Sequence, residues 1–401
     1  AVSLYCLGRY FQAYYPDPVW EHCLRAAAFS FQSLHKHALV NGESDNLFWY
    51  STGIAPILAY LCLSGDRVPI ENGVLAELLR GQEILLNGLK GDAQLSSAAL
   101  SFLNQAAYLT GDGRWIGYRQ RTRMSTAVFR LGQSFWPPPE LQPAVPTDLC
   151  GTWSIQRLPR SLWGSRGSGI SHEQSFLFGS FRTEPEAGGD FVLLDGFNGA
   201  SRNPYHTFDI LALRLAGTTV LQGYLNQVLT KADGMVEPAV PMDAALLYSE
   251  RLGETATAAG RVTNAAFCDW KRTLVLRLGT YALLVDDLTF RGDSRNMAVN
   301  TLWETQGGGW VPSAEHAVIK GNRLAPVPPG WLDLPALKAA CTSVPDEPGM
   351  IVYLNSLNIA LLRAREPGAV LSVPFHLDGP FTGNVFMDTI RYVDRGAVRI
   401  S

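Results

Sequence analysis

The hydrophobic positions of this 401-residue chain change their spacing near residue 135. Before it, apolar residues recur at helical spacing, as Val19, Cys23 and Ala27 do at i, i+4 and i+8. Asp17 and Pro18 precede this run in the order expected of an N-cap and a first helical residue. The spacing predicts six helices, at about 2–14, 18–39, 45–63, 69–90, 94–110 and 113–131.

A turn signature recurs between these predicted helices. It contains an aspartate at Asp17, Asp66 and Asp112, with glycine directly before the second and the third, and these positions lie 49 and 46 residues apart. A period in the forties with helices between the repeats is typical of stacked helical hairpins. We therefore expect three helical hairpins in the first third of the chain.

Short β-rich runs replace the helical pattern after a proline-rich stretch. Residues 134–147 contain five prolines, which cannot continue a helix. Beyond them, runs of apolar and β-branched residues alternate with Gly, Pro and Asp turns, which indicates a large antiparallel sandwich. The predicted strands are Ser175–Arg182, Asp190–Leu194, Asp209–Leu215, Thr218–Tyr224, Arg272–Leu278, Tyr281–Asp286, Met297–Trp303 and Ile351–Asn355.

These patterns predict an α+β chain of several domains. We expect helical hairpins over 1–133, a Pro-rich linker over 134–147, an antiparallel β-sandwich over 148–368, and C-terminal strands over 369–401 that could form a small appended sheet. A cleft between the helical and β domains would be a favoured ligand site, because ligands often bind between domains.

Composition excludes several classes of function. The formal charge of −3 gives no basic excess for gripping nucleic acid, and no apolar run approaches the roughly 20 residues of a membrane span. No CxxC pair or HExxH motif is present, so we predict no metal site and no cofactor. The GxSxG, Walker and Rossmann patterns are also absent.

The first candidate cluster opens the third predicted helix. Asn46 and Tyr50 are four residues apart and so share a helix face, with Trp49 beside them. An amide, a phenol and an indole placed together could hold a sugar and its carboxylate. The alternative is that Trp49 belongs to the core and Asn46 only caps the helix.

The second candidate cluster is a polar loop that leads into a predicted strand. It carries Arg202, Tyr205 and His206, and Asp209 follows at the start of the strand. His206 could transfer a proton or neutralise a negative charge, with Asp209 orienting it. The alternative is a surface loop whose histidine makes only a hydrogen bond.

Several runs resemble the central sandwich of heparinase II/III-type polysaccharide lyases. In that family a strand leads to a His-rich loop ending in Asp, then a strand, a Gly turn, another strand and an Asn-x-Val element. The helical repeat also resembles the incomplete (α/α) toroid of such lyases. The matching runs here are Phe191–Gly196, Tyr205–Leu213, Ala216–Leu221, Asn226–Val228, Trp270–Leu276, Tyr281–Asp287 and, in the helical part, Asn46–Pro56.

The resemblance implies β-elimination on a uronate-containing polysaccharide. Asn46 and His206 would then neutralise the substrate carboxylate, and Tyr50 or Tyr205 would act as base and acid. The partner would be an acidic polysaccharide or oligosaccharide, and the protein would work in the periplasm or outside the cell. Trp49 would stack on a sugar and Arg202 would bind a carboxylate.

Two departures from the family keep other functions open. The family's loop commonly has histidines two and four residues before the aspartate, where this chain has Thr207 and Tyr205. The three hairpins are also fewer than such lyases normally carry. The alternatives are a non-catalytic carbohydrate-binding relative and a glycoside hydrolase with a toroid and a β domain. The sequence does not indicate an oligomeric state.

Overall fold

The structure is a computed structural model, and it describes a large part of the chain. From residue 291 onward it describes the strand backbones alone. The described residues are 1–36, 47–86, 97–121, 135–160, 163, 169–185, 188–197, 207–222, 226, 228–232, 241–265, 267–279, 281–290, 297–304, 310–312, 317–319, 322–326, 350–354, 358–362, 370–376 and 383–386.

The chain divides into two compact units, Ala1–Thr147 and Asp148–Ser401. The described part of the first unit is helical apart from its turns and the segment after residue 135. Its helices are α1 (Val2–Tyr14), α2 (Pro18–Phe31), α3 (Leu47–Ser64), α4 (Val68–Glu71), α5 (Val74–Leu85), α6 (Ser97–Thr110) and α7 (Arg114–Arg121). Helix α1 packs against α2 and α3, and α6 packs against α3 and α7.

The three recurring aspartates make the same local hydrogen bond. A carboxylate oxygen of Asp17 accepts the N–H of Val19 at 2.9 Å, and Asp112 accepts that of Arg114 at 2.9 Å. Asp66 accepts the N–H of the residue two positions later at 3.1 Å. Each bond satisfies a backbone donor that the following helix leaves free in its first turn. The sequence repeat therefore corresponds to a repeated helix start.

The single helix predicted over 69–90 is wrong, because the structure divides it into α4 and α5. Gly73 between them has φ +83, a left-handed conformation that glycine adopts without strain. The Asn72 side-chain oxygen accepts the N–H of Val74 at 3.1 Å and so starts the second helix. The described part of the helix predicted over 18–39 likewise ends at Phe31, where a 3-10 turn over Gln32–His35 follows.

The second unit consists of strands in its described part. These are β1 (Trp153–Arg157), β2 (Phe176–Arg182), β3 (Phe191–Asp195), β4 (Asp209–Leu215), β5 (Thr218–Gln222), β6 (Val228–Ala232), β7 (Ala245–Leu252), β8 (Thr255–Ala265), β9 (Cys268–Arg277), β10 (Tyr281–Phe290), β11 (Met297–Glu304), β12 (Trp310–Pro312), β13 (Ala317–Ile319), β14 (Asn322–Pro326), β15 (Met350–Leu354), β16 (Asn358–Leu362), β17 (Val370–His376) and β18 (Gly383–Phe386).

The strands form antiparallel sheets, apart from one parallel pair, β14 with β15. The first sheet has the order β1-β2-β3-β4-β5. The second runs β12-β13-β14-β15-β16-β10-β9-β8-β7, with β18 also paired to β10. A smaller sheet has the order β17-β11-β6. Helices together with antiparallel sheets confirm the α+β class, whereas the domain boundaries predicted from sequence stay predictions.

One hydrophobic cluster joins the first and second sheets. Its buried side chains alternate along the strands, as Cys268, Trp270, Leu274 and Leu276 do in β9. Such alternation is typical of strands with one face toward a core. The cluster also takes Phe176, Phe181, Val192, Leu194, Phe208, Ile210, Leu213, Leu215 and Leu221 from β2–β5 and the residue before β4.

The membrane prediction can be compared with the helices that the structure describes. Among these, none combines the length and the apolar character that crossing a bilayer requires.

The repeated helix start gives a simple test at Asp17, whose carboxylate caps α2. Replacing it with alanine removes the acceptor for Val19, so we expect Asp17→Ala to lower the free energy of unfolding by about 1 kcal/mol. Asp17→Asn keeps an acceptor oxygen and should lose only a few tenths. Denaturant unfolding followed by far-ultraviolet circular dichroism measures both. Equal losses in the two variants would contradict the capping role.

Candidate functional site

The predicted site residues fall largely on parts of the chain that the structure leaves undescribed. Asn46, Arg202, Tyr205 and His206 lie outside the described residues. Trp49 and Tyr50 belong to the first turn of α3, but their side chains are not described. Their roles and their proximity therefore stay predictions. The described neighbours of 198–206, the segment that connects β3 to β4, show what holds its two ends.

Hydrogen bonds and strand pairing fix both ends of this connecting segment. At the first end, the Asp195 carboxylate accepts the N–H of Phe197 at 3.2 Å, and Gly196 accepts the N–H of Ala244 at 2.8 Å. At the second end, the Thr207 hydroxyl donates to the carbonyl of Pro241 at 2.6 Å. The described residues on either side of 198–206 are therefore held by hydrogen bonds to neighbouring parts of the chain.

Phe208 turns the chain sharply into β4. Its φ is +62, in the left-handed region, which is unusual for an aromatic residue. Its ring is buried, edge-on to Phe176 at 6.3 Å between centroids and tilted against Trp270 at 5.8 Å. A Cβ on Gly260 of β8 would lie only 2.2 Å from that ring. The absence of a side chain at Gly260 therefore makes room for Phe208.

Beneath this turn lies a buried ion pair between neighbouring strands. Arg272 of β9 donates through Nε to Asp286 of β10 at 2.7 Å and through a terminal nitrogen at 3.0 Å. The two side chains are 1 % and 0 % exposed, so the bidentate geometry has to offset a large desolvation cost. Trp270 donates to the same carboxylate at 2.9 Å, and the guanidinium lies 4.7 Å from its ring centroid.

Asn226 connects this ion pair to the start of β4. Its carbonyl accepts a hydrogen bond from Arg272, and its side-chain amide donates to the carbonyl of Ile210 at 2.8 Å. Its backbone N–H donates to Asp209 at 2.9 Å. A continuous chain of polar contacts thus runs from Asp286 to Asp209. We call Asp286, Arg272, Asn226 and Asp209 the stem network.

Asp209 is the member of the stem network with an unusual environment. Its Oδ1 accepts the N–H groups of Ile210 and Asn226, both at 2.9 Å, whereas its buried Oδ2 has no partner among the described residues. Burial raises the pKa of Asp209 to about 7, against the opposing effect of Arg272 and with a further increase from Asp195. The carboxyl can therefore carry a proton at neutral pH.

The stem network positions backbone and does not resemble a metal centre. In the part of the chain that the structure describes, no cluster of three or more His, Cys, Asp and Glu side chains could hold a metal ion. The described contacts of Asp209 are with backbone amides, and its predicted role of orienting His206 stays a prediction. The network's described role is to fix the strand that follows the candidate loop.

Arg272, Asp286 and Asn226 were not predicted from the sequence as a connected group, although the sequence contains a signal for it. Arg272 occupies an inward position in the alternation of β9, and Asp286 does so after Ala282 and Leu284 in β10. A charged residue on the apolar face of a strand requires a buried partner. Two such residues of opposite sign on consecutive strands therefore indicate an ion pair.

Comparisons with known proteins show similarity of fold. The chain matches no protein-family model, and no curated protein matches its sequence. A solved heparinase III is similar over 96 % of this chain and 66 % of its own length, with TM-score 0.54 and 8 % identity. A second heparinase III structure is similar over 92 % of this chain and 57 % of its own, with TM-score 0.52 and 9 % identity. The chain thus spans about three fifths of the length of these structures, and at such identity the likeness shows the fold alone.

The close approach of Phe208 to Gly260 predicts an unequal response to alanine. Gly260→Ala should lower the free energy of unfolding by about 1–3 kcal/mol, because the new methyl group meets a buried ring. Gly179→Ala in β2 is the control, since its Cβ would meet only the flexible end of Ile155 at less than 3 Å. Phe208→Leu should restore part of the loss in Gly260→Ala. Denaturant unfolding measures these free energies. Equal losses in Gly260→Ala and Gly179→Ala would contradict the close packing of Phe208 against Gly260.

The buried ion pair predicts a large cost when one partner is removed. Asp286→Ala leaves the Arg272 charge without its carboxylate, so we expect a loss of about 3–5 kcal/mol in the free energy of unfolding. The control is Glu254→Ala. It breaks an exposed pair with Arg277, which lies on β9 together with Arg272, and it should lower the free energy of unfolding by at most about 1 kcal/mol. Similar losses in both variants would show that Arg272 finds another partner.

Proposed function

We propose that the chain is a polysaccharide lyase that cleaves a uronate-containing polysaccharide by β-elimination. The observation that carries this proposal is the fold, which resembles that of heparinase III over more than nine tenths of the chain. The sequence runs that flank the candidate loop add support, since they resemble heparinase II/III-type lyases in order and kind. The proposal includes the toroid form of the helical hairpins and the sandwich form of the two large sheets.

The reaction removes a proton from the carbon beside the uronate carboxylate. A base takes the C5 proton, and the electron pair passes into an enolate-like group whose charge must be stabilised. The bond from C4 to the glycosidic oxygen then breaks, a C4–C5 double bond forms, and an acid protonates the leaving oxygen. No oxidant, reductant or water is consumed, so acid–base groups and charge stabilisation suffice.

The candidate residues supply each of these roles. Asn46 and His206 neutralise the carboxylate, Tyr50 or Tyr205 acts as base and then acid, and Arg202 binds a substrate carboxylate. Trp49 provides a surface on which a sugar ring stacks. The position of Tyr50 in the first turn of an 18-residue helix supports this assignment, because the backbone N–H groups there favour a nearby anion.

The stem network supports the loop half of this assignment. Arg202, Tyr205 and His206 belong to the segment between β3 and β4, whose following residues are buried and hydrogen-bonded. Catalytic groups need a supporting shell that limits their movement. An acidic polysaccharide as substrate would place the protein in the periplasm or outside the cell, and that location is part of the proposal.

Lyase activity predicts an ultraviolet-absorbing unsaturated product from a uronate polymer. Tyr50→Phe and Tyr205→Phe each remove a phenolic proton, and at least one of them should lower kcat by 10²-fold or more. The controls are Tyr10→Phe in α1 and Tyr248→Phe in β7, both exposed tyrosines outside the proposed roles, which should keep full activity. The assay is absorbance of the unsaturated product against time.

Other outcomes of this assay identify the alternatives. New reducing ends without ultraviolet absorbance would indicate a glycoside hydrolase, and oligosaccharide binding without any product would indicate a carbohydrate-binding protein. The absence of the family's histidines at Tyr205 and Thr207 is the observation that favours the binding protein. Full activity in both tyrosine variants would remove the residue assignment.

A further inference from the structure

Two buried carboxyl groups face each other where β3 ends and β4 begins. Asp195 and Asp209 are paired across the two strands, and each is 0 % exposed. The Asp195 side chain accepts the N–H of Phe197, and that of Asp209 accepts two backbone N–H groups through one oxygen. The other oxygen of Asp209 has no partner among the described residues. Two like charges this close in a dry environment are strongly disfavoured.

The cation near Asp209 makes its bidentate contact with a different carboxylate. Arg272 of β9 is the positive group acting on Asp209, but its bidentate contact is with Asp286 of β10 and a third bond goes to Asn226. Asp243, before β7, lies at the same end through its bridge to Phe197 and adds a further acidic residue. Among the described residues, the charged groups that act on Asp209 are thus Arg272 and Asp195, while Asp286 acts through its bond to Arg272.

We propose that Asp195 and Asp209 hold one proton between them at neutral pH, so that the contribution of this pair to the stability of the second unit falls as pH rises toward neutrality. The proton most simply resides on Asp209, whose free oxygen can carry it, while the other oxygen keeps its two N–H donors. This inference concerns folding and does not depend on the proposed function. A test by stability therefore fails or succeeds separately from any test of activity.

The direction of the pH effect follows from linkage. The raised pKa of Asp209, about 7 in the folded chain, compares with about 3.9 for an unfolded aspartate. Its contribution to stability is complete below the unfolded value, declines as pH rises between the two values, and is lost above the folded one. Across that window the unfolding constant should rise by up to about tenfold per pH unit relative to a variant without this group.

The experiment compares the full chain with Asp209→Asn between pH 5 and pH 8. Asparagine imitates the neutral acid, so the ratio of the wild-type to the variant unfolding constant should rise from pH 5 to 7 and then level. Asp190→Asn is the matched control, because Asp190 is also buried and both of its oxygens accept backbone N–H groups, from Ala216 and Gly279. Its ratio to wild type should stay constant. A constant ratio for Asp209→Asn as well would overturn the proposal.

A spectroscopic measurement decides the question if Asp209→Asn does not fold. A protonated carboxyl group has a C=O infrared band that an ionised carboxylate lacks. Wild-type protein should show this band at pH 6 and lose it by pH 8. In Asp195→Asn the loss should occur at lower pH, because the neighbouring charge that favours protonation has been removed. No band at pH 6, or a loss at unchanged pH in Asp195→Asn, would overturn the proposal.

Discussion

The buried pair between Arg272 and Asp286 is the interaction on which the described end of the candidate loop depends. A guanidinium group that is only 1 % exposed has lost its hydration and needs hydrogen-bond acceptors inside the protein. Here its nitrogens donate to one carboxylate and to one backbone carbonyl. That carbonyl belongs to Asn226, which in turn holds both Asp209 and Ile210. The first residues of β4, in the first sheet, are therefore held in place by contacts that begin on β9 and β10 of the second sheet.

Much of the element order could be predicted from spacing alone. The aspartate repeat located three helix starts, since the chemistry of capping is local and needs only a carboxylate before the helix. The long strand β8 was missed, because its sequence contains four alanines and a glycine, which strand propensity disfavours. Gly260 explains part of this composition: a small residue is needed where Phe208 packs, and that need arises only from tertiary structure.

In the candidate site, too, features set by neighbouring residues could be predicted from sequence, whereas contacts between residues far apart along the chain could not. The loop residues Arg202, Tyr205 and His206 were predicted from their chemical types and their place before a strand, and their roles stay predictions. The stem network, which holds the start of β4, joins residues up to 77 positions apart along the chain, from Asp209 to Asp286. No local pattern connects such residues. The alternation of β9 and β10 does mark Arg272 and Asp286 as buried charges, which is the signal to look for in similar sequences.

Amide hydrogen exchange tests most directly whether the ion pair holds the start of β4. The comparison is between the wild-type chain and Arg272→Met/Asp286→Leu, which removes both charges while keeping apolar volume. We expect the N–H groups of Ile210 and Asn226 to exchange faster in the variant, while those of Phe178 and Ser180 in β2 keep their protection. Unchanged protection at Ile210 and Asn226 would contradict the account, because the stem would then be held without the ion pair.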